Sequence, residues 1–358
     1  MYEIPSPMLA KSVPEIPDPG RTAGGLSYEP KWDGFRALIA WDGTTVELGS
    51  RGAKPLTRYF PELVDACARL LPEPCLLDGE IVVADGPTGA QRLQWEILSQ
   101  RIHPAASRVK MLSETHPAMF VAFDLLARGD RNLQSEPFET RRAELEELLG
   151  GVPHPLHLTR TTRDPDLARR WLAEFEGAGL DGIVAKALDG SYQPDKRVML
   201  KVKHERTADC VLAGYRVHTS GPDRIGSLLL GLYAGDGKLA SVGVVGAFPM
   251  QRRKDLFEEL QPLVTDFDSH PWAWAKQEEG SRTPRNAEGS RWSAGKDLSF
   301  VPLRPERVLE VKYDHMEGER FRHTAQFVRW RPDRDPESCT YDQLEEPVKY
   351  DLAEVLAT

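Results

Sequence analysis

The run Cys75-Leu76-Leu77-Asp78-Gly79-Glu80-Ile81-Val82-Val83 constrains this chain most, because it is apolar throughout except for an acidic pair set in its middle. Such a run reads as a buried strand, and a buried strand rarely carries an unpaired carboxylate. An isolated buried carboxylate is very costly, so Glu80 calls for a cation, a hydroxyl or a metal beside it. The pattern recurs twice. Met119-Phe120-Val121-Ala122-Phe123-Asp124-Leu125-Leu126 ends in a carboxylate beside an aromatic ring, and Leu180-Asp181-Gly182-Ile183-Val184-Ala185-Lys186 begins with one. A fourth run, Met199-Leu200-Lys201-Val202-Lys203, is basic, and period two puts Lys201 and Lys203 on one face of a strand. Like charges so placed repel, and a polyanion between them relieves the repulsion.

Upstream lies Tyr28-Glu29-Pro30-Lys31-Trp32-Asp33-Gly34-Phe35-Arg36, which sets a lone lysine among two carboxylates and an arginine. A lysine amine attacks phosphorus only when neutral, so a nucleophilic Lys31 needs desolvation, which Trp32 and Phe35 can supply, or neighbouring cations. Arg36 offers a fixed cationic fork for phosphate. Trp-Asp-Gly recurs at Trp41-Asp42-Gly43, between two alternating runs, where it is simply a hairpin turn. Taken alone, therefore, Lys31 reads equally well as an ordinary surface lysine.

Residues 1–27 are rich in Pro and Gly and read as an extended leader docked on the first domain. Ser50-Arg51-Gly52 opens a polar, basic loop before a helix near residues 61–71; residues 91–110, 140–149 and 165–176 are helical in pattern. From about His204 the pattern changes to shorter strands with glycine-rich turns, at 208–217, 226–234, 239–246, 307–313 and 325–331, with one helix at 250–260. Five strands and a helix suggest a small barrel of the oligonucleotide-binding type. Residues 265–300 read as a long surface connection. The fold expected is α+β, with a first domain over 1–203 and a barrel domain over 204–358.

Composition excludes some classes. No stretch is long and apolar enough to span a bilayer, and the N-terminus lacks the basic and then apolar regions of a signal peptide, which places the chain in the cytoplasm. Cys67, Cys75, Cys210 and Cys339 have no metal-ligand rhythm and read as reduced core thiols. A net charge of −9 argues against coating nucleic acid by charge alone, though it leaves room for a local basic groove.

With these segments in order, the chain resembles the covalent nucleotidyltransferases, and specifically the small bacterial ATP-dependent DNA ligases of the ligase C kind. Lys31, Asp33, Gly34 and Arg36 meet the family pattern Lys-x-Asp-Gly-x-Arg, followed by Ser50-Arg51-Gly52, Asp78-Gly79-Glu80, Phe123-Asp124, Asp181 to Lys186 and Lys201-Val202-Lys203. The resemblance implies an antiparallel-sheet adenylation domain followed by the barrel. It implies that Lys31 attacks the ATP α-phosphate to form lysyl-AMP, that Glu29 reads the adenine amine, that Phe123 stacks the ring and that Glu80 holds the ribose. Arg36, Arg51, Lys186, Lys201 and Lys203 would surround the phosphates, and Asp181, with Glu80, would bind magnesium or manganese. The family usually has glutamate at the Asp181 position, and its terminal motif Arg-x-Asp-Lys reads Arg331-Pro332-Asp333-Arg334 here.

Sealing would proceed through a DNA-adenylate on nicked duplex DNA, by a monomer acting in repair, replication or recombination, with repair polymerases or nucleases as companions. Arg329, Arg331 and Arg334 would orient pyrophosphate when the barrel closes for the first step. An RNA ligase or a capping guanylyltransferase uses the same lysine chemistry, and a non-catalytic nucleic-acid-binding module could keep the fold. Intact Lys31, Glu80, Lys201 and Lys203 speak against the last.

Overall fold

A computed structural model describes residues 2–52, 54–273, 299–345 and 347–357. The expected surface connection over 265–300 falls largely on 274–298, outside the described residues.

The chain divides into two compact units, Met1–Lys203 with Pro347–Thr358, and His204–Glu346. In the first unit, β1 (Leu9–Ser12), β2 (Leu26–Pro30), β3 (Phe35–Trp41), β4 (Val46–Ser50), α1 (Pro61–Leu70) and β5 (Cys75–Val82) come first. A minor hairpin β6 (Ala84–Asp85) and β7 (Arg92–Leu93), helices α2 (Trp95–Ser99) and α3 (Ala106–Thr115), and β8 (Met119–Arg128) follow. Then come β9 (Arg131–Asn132), α4 (Phe138–Leu149), β10 (Leu156–Leu158), α5 (Pro165–Glu174), β11 (Ile183–Ala187) and β12 (Arg197–Val202). The helix expected over 91–110 is two short helices instead, because Pro104 lacks a donor and disfavours helical geometry in the residue before it.

Two sheets form this unit. One has the order β1-β12-β11-β2 and the other β10-β8-β5-β3-β4, with β9 beside β8. Most pairs are antiparallel, but β1 runs parallel to β12, and β10 to β8. The docked leader is thus partly a strand. Alternation decides which way each strand faces: Ile39, Cys75, Leu77, Ile81, Phe120 and Ala122 join one apolar core with α1 and α4. The opposite face carries Arg36, Asp78, Glu80 and Phe123. On that side Val82 and Val121 pack with Tyr28, Ile183 and Val202 of the smaller sheet.

In the second unit, the sheet order is β15-β14-β13-β16-β19, with β13 (Arg206–His218), β14 (Gly221–Tyr233), β15 (Leu239–Val245), β16 (Val301–Tyr313) and β19 (Gln326–Trp330). A small hairpin of β17 (Met316–Glu317) and β18 (Arg320–Phe321) intervenes. Register breaks let the long strands β13, β14 and β16 bend, and a bridge from Val245 to Ala325 brings the last edge back to the first. Helix α6 (Met250–Leu260) places Leu256 and Leu260 in the barrel core.

The expected barrel domain over 204–358 needs correction at its end. Helix α7 (Leu352–Leu356) belongs with the first unit: Leu352 N–H donates to Gln91 O at 2.9 Å, and the rings of Tyr350 and Phe175 lie 5.1 Å apart. Arg160 donates to the carbonyls of Glu354 and Ala357 and so satisfies acceptors at the end of that helix.

Candidate active site

Lys31 follows the last residue of β2, and its backbone is tied on both sides to the start of β11. Its N–H donates to Gly182 O at 2.8 Å and its carbonyl accepts from Asp181 N–H at 2.9 Å. That pairing brings the two side chains together, with Lys31 Nζ 2.5 Å from Asp181 Oδ2. The same oxygen lies 2.8 Å from Lys203 Nζ. Burial pushes the Asp181 carboxyl up, but the two ammonium groups outweigh it and hold it at about 2. Lys201 is pushed below the usual lysine range, by burial and then by the charges of Lys31 and Lys203. Trp32 is buried against this site, its Nε1–H donating to Thr159 Oγ1 at 2.8 Å. Phe35 turns the other way, edge-on to Trp95 at 5.1 Å, and contributes no wall.

A cleft with about 840 Å³ of empty space, part of it continuous with solvent, lies between the two sheets, lined by Glu29, Lys31 and Lys201 from one and by Arg36, Glu80 and Phe123 from the other. Arg51 and Lys186 also line it. Glu80 stands opposite Arg36 across β3 and β5 and accepts from Gly34 N–H at 3.2 Å. Burial drives its carboxyl up to about 7, with Arg36 and Lys31 opposing.

Two cations stand elsewhere than the sequence suggests. Arg36 commits its fork to the fully buried Asp78, with both N···O distances 2.6 Å, and lays its guanidinium 4.5 Å from the Phe123 ring centre. Lys186 is buried with Glu29 at 2.8 Å, donates to Phe123 O at 2.9 Å, and sits 4.8 Å and 4.7 Å from the rings of Phe123 and Phe138. Both adjoin the aromatic end of the cleft rather than the Lys31 end. Burial raises the Glu29 carboxyl, Lys186 opposing, and Glu29 Oε2 is buried with no hydrogen-bond partner among the described residues. A buried acceptor left open at the wall of a cleft is a place for a ligand donor.

Arg331 and Arg334 lie in the second unit. Arg331 Nη1 is 3.0 Å from both Asp209 oxygens, its Nη2 is 2.8 Å from Asp333, and Arg334 Nε is 3.2 Å from Asp209. Their guanidinium groups are thus paired with carboxylates of their own unit.

Sequence reasoning missed residues 7–10, which also line the cleft, and Asp78 and Tyr192, which stand behind its lining and hold Arg36 and Met8. The signal for Asp78 was present: the argument that a buried carboxylate needs a partner applies to it as much as to Glu80.

Residues 7–203 match the family model "ATP dependent DNA ligase domain", and residues 221–334 match "ATP dependent DNA ligase C terminal region". The chain belongs to the ATP-dependent DNA ligases. It is 60% identical to DNA ligase C of Mycobacterium tuberculosis, over 98% of this chain and 96% of that protein. It is 62% identical to DNA ligase C2 of Mycolicibacterium smegmatis, over 96% and 94%. Among solved structures, a Lig E DNA ligase superposes with a TM-score of 0.56 at 17% identity, covering 92% of this ligase and all of the other chain, which bears on the fold alone.

Proposed function

We propose that this ligase is loaded with AMP on Lys31 and seals nicks in duplex DNA. The observation that carries the reading is the polarity of one cleft: an open carboxylate acceptor and an aromatic ring at one end, and a lysine cluster around Asp181 at the other. Glu29 Oε2 matches the exocyclic amine of adenine, and Phe123 offers a ring face to the base. Lys31, Lys201, Lys203 and Arg51 supply positive charge where phosphate charge develops.

Asp181 fixes the direction of the Lys31 amine. Held at about 2, Asp181 is too weak a base to retain the proton that Lys31 must lose, so it orients rather than deprotonates. With that proton released to solvent water, the Nζ–P bond forms as the bond from the α-phosphorus to pyrophosphate breaks. AMP next passes to the 5′-phosphate of the nick, and the 3′-hydroxyl displaces it. Asp181 and Glu80 each offer the hard oxygen donors that magnesium or manganese takes, and Asp181 stays anionic at neutral pH. Such an ion, when bound, neutralises charge on phosphate oxygens. Four buried, unpaired cysteines suit a reducing cytoplasm, and we place the enzyme there, as a monomer in DNA repair.

Intact-mass measurement after incubation with ATP tests this reading. A gain of one AMP on the wild type, mapped to Lys31 and absent from Lys31→Ala, supports it. Labelling by GTP in preference to ATP, or sealing of nicked RNA but not nicked DNA, would return the protein to the guanylyltransferase or RNA ligase readings.

A further inference from the structure

We propose that Tyr192 is a positioning residue for the cleft, fixing residues 7–10 as one of its walls through a hydroxyl shared between Asp78 and Met8. The proposal rests on the cleft being the ATP site.

Tyr192 is 4% exposed, and its hydroxyl donates to Asp78 Oδ2 at 2.6 Å while accepting from Met8 N–H at 3.0 Å. Asp78 is wholly buried and grips Arg36 with the same carboxylate. Arg36 in turn reaches Met8 O at 3.4 Å and lies over Phe123. A continuous set of contacts therefore joins the aromatic wall of the cleft to the backbone of Met8. From Leu9 onward the strand β1 is held by pairing, beginning with Leu9 N–H donating to Lys196 O at 2.9 Å. Met8 precedes that pairing, and its N–H is anchored by the Tyr192 hydroxyl. The side chain of Met8 packs with Tyr192 and Met199 in one buried apolar cluster, so the wall is set by packing as well as by the hydroxyl.

Removing the hydroxyl leaves a buried N–H without its partner and takes one of two donors from Asp78 Oδ2, which keeps Arg36, while the ring still fills its space. The wall then has more freedom to lose when nucleotide binds, which weakens binding without touching the reacting atoms. The effect belongs to ATP saturation rather than to the chemical step.

The test measures single-turnover lysyl-AMP formation against ATP concentration in full-length Tyr192→Phe, Met8→Ala and the double variant. For Tyr192→Phe, half-saturating ATP should rise on the order of 10-fold while the maximal rate stays within about threefold of wild type. Met8→Ala, which removes the packing and keeps the hydroxyl's bond to the backbone N–H, should raise it too, and the double variant, which loses both supports of the wall, should exceed either single variant. Unchanged half-saturation in Tyr192→Phe, a loss confined to maximal rate, or a double variant no worse than Met8→Ala would overturn the proposal. Met8→Ala leaves the hydroxyl network in place, so unchanged saturation there denies the wall even should Tyr192→Phe fold poorly. An AMP adduct mapped to a lysine other than Lys31 would instead remove the ATP-site reading beneath it.

Discussion

Glu80 sits where burial and charge oppose each other, and its titration should be visible in stability. Its carboxyl is raised from an ordinary value to about 7, burial outweighing Arg36 and Lys31. The unfolded chain releases this proton at a lower pH than the folded one, so between those values folding takes up a proton. Stability from this group is present at acid pH and is lost as pH rises through about 7. Each tenfold change in proton affinity is worth roughly 1.4 kcal/mol. Thermal melts of wild type and Glu80→Gln should converge near pH 5, and the wild type should fall behind as pH approaches 8; parallel curves would show that Glu80 does not titrate there. Lys186 makes the second residue-scale case, because it adjoins Glu29 and Phe123 rather than the lysine cluster. Adenosine, which has no phosphate, should lose affinity in Lys186→Met and Glu29→Gln by about 1–3 kcal/mol, the cost of a buried group left unpaired. It should be retained in Lys201→Ala. Competition by adenosine against lysyl-AMP formation reads the difference, and equal retention in all three variants would put Lys186 back among the phosphate ligands.

At the scale of elements, the meeting of β2, β11 and β12 fixes the distance from Lys31 to Asp181, and Gly182 is the joint. Its φ is +118°, and a Cβ there would lie 2.0 Å from Val202 O, while its own carbonyl accepts from Lys31 N–H. Gly182→Ala therefore both strains the backbone and wedges β11 from β12. We expect a loss of about 1–3 kcal/mol in stability and a larger relative loss of AMP loading than of melting temperature, because Lys31 and Asp181 move apart together. A variant that loads AMP at the wild-type rate would show that the joint is dispensable. Much of this was legible in the sequence, since period two alone puts Asp78 and Glu80 on one face of their strand and Lys201 and Lys203 on one face of theirs. The fate of Arg36 and Lys186 was not: a cation in a strand reads as free for phosphate, and only the packing shows Asp78 and Glu29 taking them. The strand pairing of residues 9–12 was likewise hidden, because a short parallel edge strand leaves no periodicity in a segment rich in proline.

For the whole molecule, the chain leaves the first unit after Lys203 and rejoins it at Pro347, so the second unit is an insertion between two parts of the first. The sequence concealed this return because residues 347–358 carry only one short amphipathic turn, whose partners Phe175 and Gln91 lie far upstream. Within the second unit, Arg331 and Arg334 share Asp209, and Arg331 also holds Asp333. The family resemblance implies that these arginines orient pyrophosphate, and pyrophosphate leaves only in the first chemical step. Arg331→Ala should then slow lysyl-AMP formation on the order of 100-fold, as expected for loss of one donor to developing charge. Because Arg334 still reaches Asp209, the melting temperature should fall little. Sealing of a ready-made DNA-adenylate, supplied without ATP, should stay within a few-fold of wild type, roughly 1 kcal/mol or less in barrier. Arg334→Ala should show the same asymmetry. Equal losses in both assays, or a loss that tracks the melting temperature, would return these arginines to holding Asp209 and Asp333 or to contacting DNA, and would leave the pyrophosphate to the lysines around Asp181.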